Sequence, residues 1–138
     1  MLFRSQIDCD YHVCDLDPAC LCLSPQLPID VTFHIESSDD LATDWDKSLD
    51  LLMIDGCHEF SQVYKDFTNY IPYVNSNGFV LCHDTYPPTE EDKNPNACWD
   101  AYKILDVLDG IQRASSSLEF ITLPYSYGLT IARVKGGN

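Results

Sequence analysis

Two short runs gather the groups able to do chemistry: Asp55-Gly56-Cys57-His58 and His83-Asp84. They supply carboxylates and imidazoles, the side chains that hold divalent cations or move protons near neutral pH. Asp55, His83 and Asp84 could converge on one ion if the segments that precede them lie side by side. A hard cation such as Mg²⁺ prefers oxygen donors, and an imidazole in the set suits Mn²⁺, Fe²⁺ or Zn²⁺ better. His58 lies one helical step from Asp55, where an imidazole can take a proton from a hydroxyl. Plainer readings stand beside these. Asp55 can cap a helix starting near His58, and His58 can bond to backbone or to Glu59. Cys57 sits at the same helix start, but nothing else points to nucleophilic chemistry. Asp15 and Ser37 are two further polar groups at the ends of apolar segments, whereas His12 and His34 lie within such segments and read as packed.

Each of these groups follows its own element. Residues 11–14 (YHVC) predict a strand ending at Asp15 and Asp17, with Pro18 beyond. Residues 31–35 (VTFHI) predict a second strand, and Ser37 or Ser38 caps a short helix over 39–45. The nearly continuous apolar run 49–54 (LDLLMI) predicts a strand covered on both faces. Over 58–74, Phe60, Val63, Tyr64, Phe67, Tyr70 and Ile71 share one helical face. Residues 75–78 have turn composition, 79–82 (FVLC) predict a buried strand, and 86–96 predict a surface loop rich in Pro and acid. A helix over 97–108 offers Trp99, Tyr102, Ile104 and Leu105 to the core and is closed by Gly110. Residues 118–123 and 128–134 predict an antiparallel hairpin. Strand and helix alternate and a hairpin ends the chain. That is the pattern of a doubly wound, mostly parallel α/β sheet forming one domain over residues 1–138. Ligands of such sheets sit beyond the carboxyl ends of the strands. Asp15, Ser37, Asp55, His83 and Asp84 all fall there.

Composition narrows the partners. Eight Lys+Arg against 22 Asp+Glu give a net charge of −14. Without a basic patch, neither nucleic acid nor an anionic membrane is an expected partner. A small molecule or a divalent cation is. No apolar run approaches the ~20 residues of a membrane span, and residues 1–10 lack the apolar core of a secretory signal. The expected location is cytoplasmic. Seven cysteines without a CxxC pair read as reduced, mostly buried thiols. Hydrolases built on a His-Asp dipeptide need further ligands on helices, whereas this dipeptide ends a strand.

Residues 49–64 (LDLLMIDGCHEFSQVY), with Asp66 following, resemble the "D-hydrophobic-IDG-x-H-x-Y/F" segment of class I S-adenosylmethionine-dependent methyltransferases. Residues 77–85 (NGFVLCHDT) resemble the "GG-hydrophobic-HD" fifth strand of one metal-dependent O-methyltransferase-like group. Residues 12–18 (HVCDLDP) are similar to its second strand and acidic tip, and 120–134 to its last two strands. The resemblance implies a Rossmann-like fold and methyl transfer from S-adenosylmethionine to a small hydroxylated substrate. It places Asp15 on the cofactor ribose, Ser37 at the adenine and Asp55 in the cofactor crevice. It makes Asp55, His83 and Asp84 ligands of Mg²⁺ or Mn²⁺, and His58 the base. The family's first strand and glycine-rich loop have no counterpart, because only ten residues precede Tyr11 and none is Gly. The chain therefore resembles the carboxyl-terminal two thirds of a methyltransferase, with its central strand missing. Two expectations follow: a sheet edge open to a second copy, and, as the alternative function, a non-catalytic form that does not bind the cofactor unaided.

Overall fold

The computed structural model describes residues 9–26 and 31–136. They fall into two compact units, one ending at Asp44 and the other beginning at Trp45.

In the first unit, β1 (Tyr11–Cys14) and β2 (Val31–His34) pair in parallel, with Tyr11 opposite Val31 and Cys14 opposite His34. The chain leaves β1 through two successive side-chain turns. Asp15 Oδ1 accepts the Asp17 amide at 2.9 Å, and Asp17 Oδ1 accepts the Ala19 amide at 2.8 Å. A 3-10 segment, Pro18–Gln26, follows. Helix α1 (Ser38–Asp44) is capped by Ser37, whose Oγ accepts the Asp40 amide at 3.0 Å and donates to the Asp40 carboxylate at 2.6 Å. No residue of this unit whose side chain is described is fully buried.

The second unit holds a four-stranded sheet in the order β3-β4-β6-β5, built from β3 (Leu49–Ile54), β4 (Val74–His83), β5 (Leu118–Leu123) and β6 (Leu129–Val134). β3 and β4 run parallel, and the closing hairpin is antiparallel. Helices α2 (Phe60–Tyr70) and α3 (Ile104–Ser115) cover one face. Val63 and Phe67 from α2, and Ile104 and Leu108 from α3, pack with Ile54, Val80, Cys82, Leu118 and Ala132 of the sheet. This is the Rossmann-like α/β architecture with an antiparallel hairpin that the alternation of elements implied.

Four local expectations change. The run 75–78 makes no chain reversal. β4 passes through it, with Val74 opposite Leu49 and Phe79 opposite Leu51, so the turn-prone residues form a bulge. Asn77 takes a left-handed φ of 69° there, and a Cβ on Gly78 would lie 2.9 Å from the Asn75 carbonyl oxygen. Second, α3 runs through Gly110 to a left-handed cap at Ser116. The stripe Ile104, Leu108, Ile111 continues past the glycine, and its burial outweighs the ~1 kcal/mol that glycine costs a helix. Third, residues 97–100 are not helical, and a 3-10 turn, Ala101–Lys103, leads into α3. Fourth, β3 is covered on one face only. Leu51 and Met53 are 55% and 48% exposed, and Ile121, on the same face across the sheet, is 58% exposed. The cysteines also differ from expectation: Cys82 and Cys98 are buried, while Cys9, Cys22 and Cys57 are exposed.

Candidate functional site

Parallel pairing of β3 and β4 sets Ile54 opposite Cys82, so the residues that follow leave the sheet at the same edge. There Asp55, His83 and Asp84 meet. His83 Nδ1 lies 3.1 Å from Asp55 Oδ1 and 3.2 Å from Asp84 Oδ2. The turn into α2 delivers His58 to the same place, its Nε2 being 2.9 Å from Asp84 Oδ2. Asp84 is 5% exposed and adopts a left-handed φ of 58°, a conformation that Asp tolerates better than most residues. Its other oxygen faces the buried Cys98 thiol, with Sγ at 3.9 Å. Burial, with Asp84 and Asp92 nearby, pushes the Cys98 thiol up to about 11, so it stays protonated and donates to Asp84.

The segment ahead of α3 fixes this arrangement from behind. The Ala97 carbonyl bonds to His58 Nδ1. Asp100 Oδ1 accepts the Phe60 amide at 2.6 Å, although Glu59, the residue at the cap position of α2, makes no side-chain cap. Lys103 Nζ pairs with the same carboxylate at 2.8 Å. On the other side, the turn between β5 and β6 reaches the chain just past Asp84, where the Tyr86 amide donates to the Tyr127 carbonyl at 2.7 Å. Gly128 has φ 96°, and a Cβ there would overlap the Tyr86 backbone. The buried Thr85 and Thr130 hydroxyls bond at 2.7 Å, and Thr130 bonds the half-buried Thr122 hydroxyl at 2.8 Å.

The residues suit a divalent cation. Asp55, His58 and Asp84 each offer one donor atom, and these atoms lie within 4.8 Å of one another. A ligating histidine is ordinarily steadied by a bond from its other nitrogen to a carbonyl or carboxylate, and Ala97 supplies one to His58. Four of the expected residues, Asp55, His58, His83 and Asp84, are therefore together. Asp15 and Ser37 belong to the other unit: Asp15 is exposed at the end of β1, and the Ser37 hydroxyl serves the α1 cap. Ala97, Cys98 and Asp100 were missed. They sit in a stretch that reads as the start of a helix, and their partners lie 14 to 40 residues away.

A parallel strand pair with acids and imidazoles at its carboxyl edge, backed by helices and closed by an antiparallel hairpin, is the frame of a Rossmann-like α/β domain. A family model described as a methyltransferase domain matches residues 7–85, more than half of the chain, and the chain belongs to that family. A Corynebacterium glutamicum protein of solved structure matches at TM-score 0.70 and 14% identity, covering 94% of this chain and 62% of that one. The S-adenosylhomocysteine-bound Podospora anserina methyltransferase PaMTH1 matches at TM-score 0.66 and 15% identity, covering 95% and 63%. The O-methyltransferase TomG from Streptomyces achromogenes, solved with S-adenosylmethionine, matches at 0.65 and 14%, covering 94% and 64%. At these identities the likeness is one of fold, and the chain spans a little over three fifths of each of these structures. An uncharacterized Sinorhizobium fredii protein is 44% identical over 50 residues, which is 36% of this chain and 5% of that protein. Among the described residues no helix is long and apolar enough to cross a membrane.

Proposed function

We propose that the chain carries the catalytic edge of an S-adenosylmethionine-dependent O-methyltransferase acting on a small hydroxylated substrate with the help of Mg²⁺ or Mn²⁺. The observation that carries this reading is the meeting of Asp55, His58 and Asp84 donors at the strand edge of a methyltransferase-family domain. The cofactor assignment draws on PaMTH1 and TomG, which bind S-adenosylhomocysteine and S-adenosylmethionine in matched folds. Methyl transfer to oxygen is an in-line displacement, so the protein's tasks are positioning, deprotonation and charge stabilisation. A cation held by Asp55 and Asp84 would lower the charge cost of forming the attacking oxyanion. Asp15 is the proposed acceptor for the ribose hydroxyls, because a carboxylate accepts two bonds at once. Ser37 is the proposed adenine contact and Asp55 a further wall of the cofactor crevice.

A second reading is favoured by the division of the described strands into two sheets. It holds that the chain keeps the fold without binding the cofactor unaided. Calorimetry with S-adenosylmethionine separates the two. Low-micromolar affinity that falls at least tenfold in Asp15→Asn supports the transferase reading, and no heat up to millimolar cofactor supports the second. We also propose that the open edge of β3 pairs with a second copy. In an antiparallel register centred on Leu52, Leu51 meets Met53 of the other copy and no two like charges face each other.

A further inference from the structure

We propose that His58, through Nε2, is the imidazole ligand of the divalent cation, and that His83 is a positioning residue that holds the two carboxylates and keeps its own Nε2 available to a substrate proton. Sequence position suggests the opposite division. The inference rests on the metal-dependent reading above and concerns which imidazole does what.

A neutral imidazole has one N–H and one lone pair. The Ala97 carbonyl can only accept, so His58 Nδ1 carries the hydrogen and the lone pair lies on Nε2. That nitrogen sits 2.9 Å from Asp84 Oδ2, another acceptor. Two lone pairs at this distance need a positive charge between them, either a second proton or a metal ion. For ligand bonds of about 2.1 Å, adjacent donors at right angles stand about 3 Å apart, which is this spacing. With both nitrogens engaged, His58 has none left for a substrate hydroxyl.

His83 is arranged the other way. Its Nδ1 is within hydrogen-bond reach of carboxylates on both sides, 3.1 Å to Asp55 and 3.2 Å to Asp84, so Nδ1 carries the hydrogen and bridges them. Its Nε2 then keeps the lone pair and has no partner among the described residues. The ring is 28% exposed, so a small molecule can reach it. An imidazole whose Nδ1–H is fixed by a carboxylate is the arrangement in which Nε2 accepts a proton from a hydroxyl. His58 thus has both nitrogens engaged, whereas His83 has only Nδ1 engaged.

Mn²⁺ is the probe, because it accepts mixed oxygen and nitrogen donors and its electron-spin-echo spectrum carries nitrogen modulation when an imidazole is bound directly. In wild type the modulation should be present. It should persist in His83→Gln and vanish in His58→Gln, where Mn²⁺ affinity should also fall roughly tenfold or more. Modulation lost in His83→Gln and kept in His58→Gln overturns the assignment. Should His58→Gln fail to fold, His83→Gln decides alone: retained modulation supports the assignment and lost modulation refutes it. A wild-type chain that binds no Mn²⁺ at millimolar concentration removes the metal-dependent reading itself, and this division with it.

Discussion

Asp100 does from 40 residues away what the residue next to the helix does not: it accepts the Phe60 amide and starts α2 directly behind His58. Burial works against its charge, but the Lys103 ammonium and the Phe60 amide outweigh that and hold its carboxyl below the ordinary value. A carboxylate lowered in the folded state contributes stability that is present above its unfolded value, about 4. That contribution is lost as pH falls through the folded value. Asp100→Ala should therefore cost about 1 kcal/mol at neutral pH, the usual loss of a helix cap, as read from urea unfolding. Asp100→Asn, which can still accept the amide, should show a shallower loss of stability below about pH 4 than wild type. Equal acid slopes would mean that the Lys103 pair contributes nothing. At this scale Asp55, His58, His83 and Asp84 were legible in the sequence, because each stands within a few residues of the end of an apolar strand. Ala97 was not, since it acts through a carbonyl that every residue has. Cys98 and Asp100 were not either, since their partners are remote and their local pattern is helical.

Among the elements, β3 carries the clearest consequence. It has β4 on one side and no described strand on the other, and its outward residues Leu51 and Met53 are exposed. An edge strand with exposed apolar residues and an unpaired side invites pairing with another chain. Sedimentation at rising concentration should show reversible association, and Met53→Lys should restore the monomer without lowering the unfolding midpoint. Association unchanged in Met53→Lys would point to a different surface. The strands themselves were the legible part of the fold, since apolar runs fix all of their ends but the start of β4 within a residue or two. Helix ends were less so. Gly110 looked like a stop, but the apolar stripe on either side of it held the helix together. The polar run 75–78 looked like a reversal because its composition suits positive φ, and a bulge uses the same residues. The one-sided cover of β3 was illegible, because LDLLMI reads alike whether one face is packed or both.

At the scale of the molecule, the two units differ in what holds them. The larger has a core running from Ile54 through Phe67 and Leu108 to Ala132, whereas the smaller, among residues whose side chains are described, has no fully buried residue. Two short paired strands are marginal without such a core. Amides of β1 and β2 should exchange with solvent well ahead of those in β4 and β6, and limited proteolysis should leave a resistant fragment beginning close to Trp45. Uniform exchange across both units would show that they open together. The smaller unit is also the one that carries Asp15. Any ligand that Asp15 holds must first find that unit ordered, so its apparent affinity is the intrinsic affinity scaled by the ordered fraction. Saturating ligand would in turn protect β1 and β2 from exchange, because whatever binds only the ordered form draws the population toward it. For this chain, recognition and the completion of folding would be one equilibrium, and a substitution far from Asp15 that loosens β1 against β2 would register as a weaker ligand.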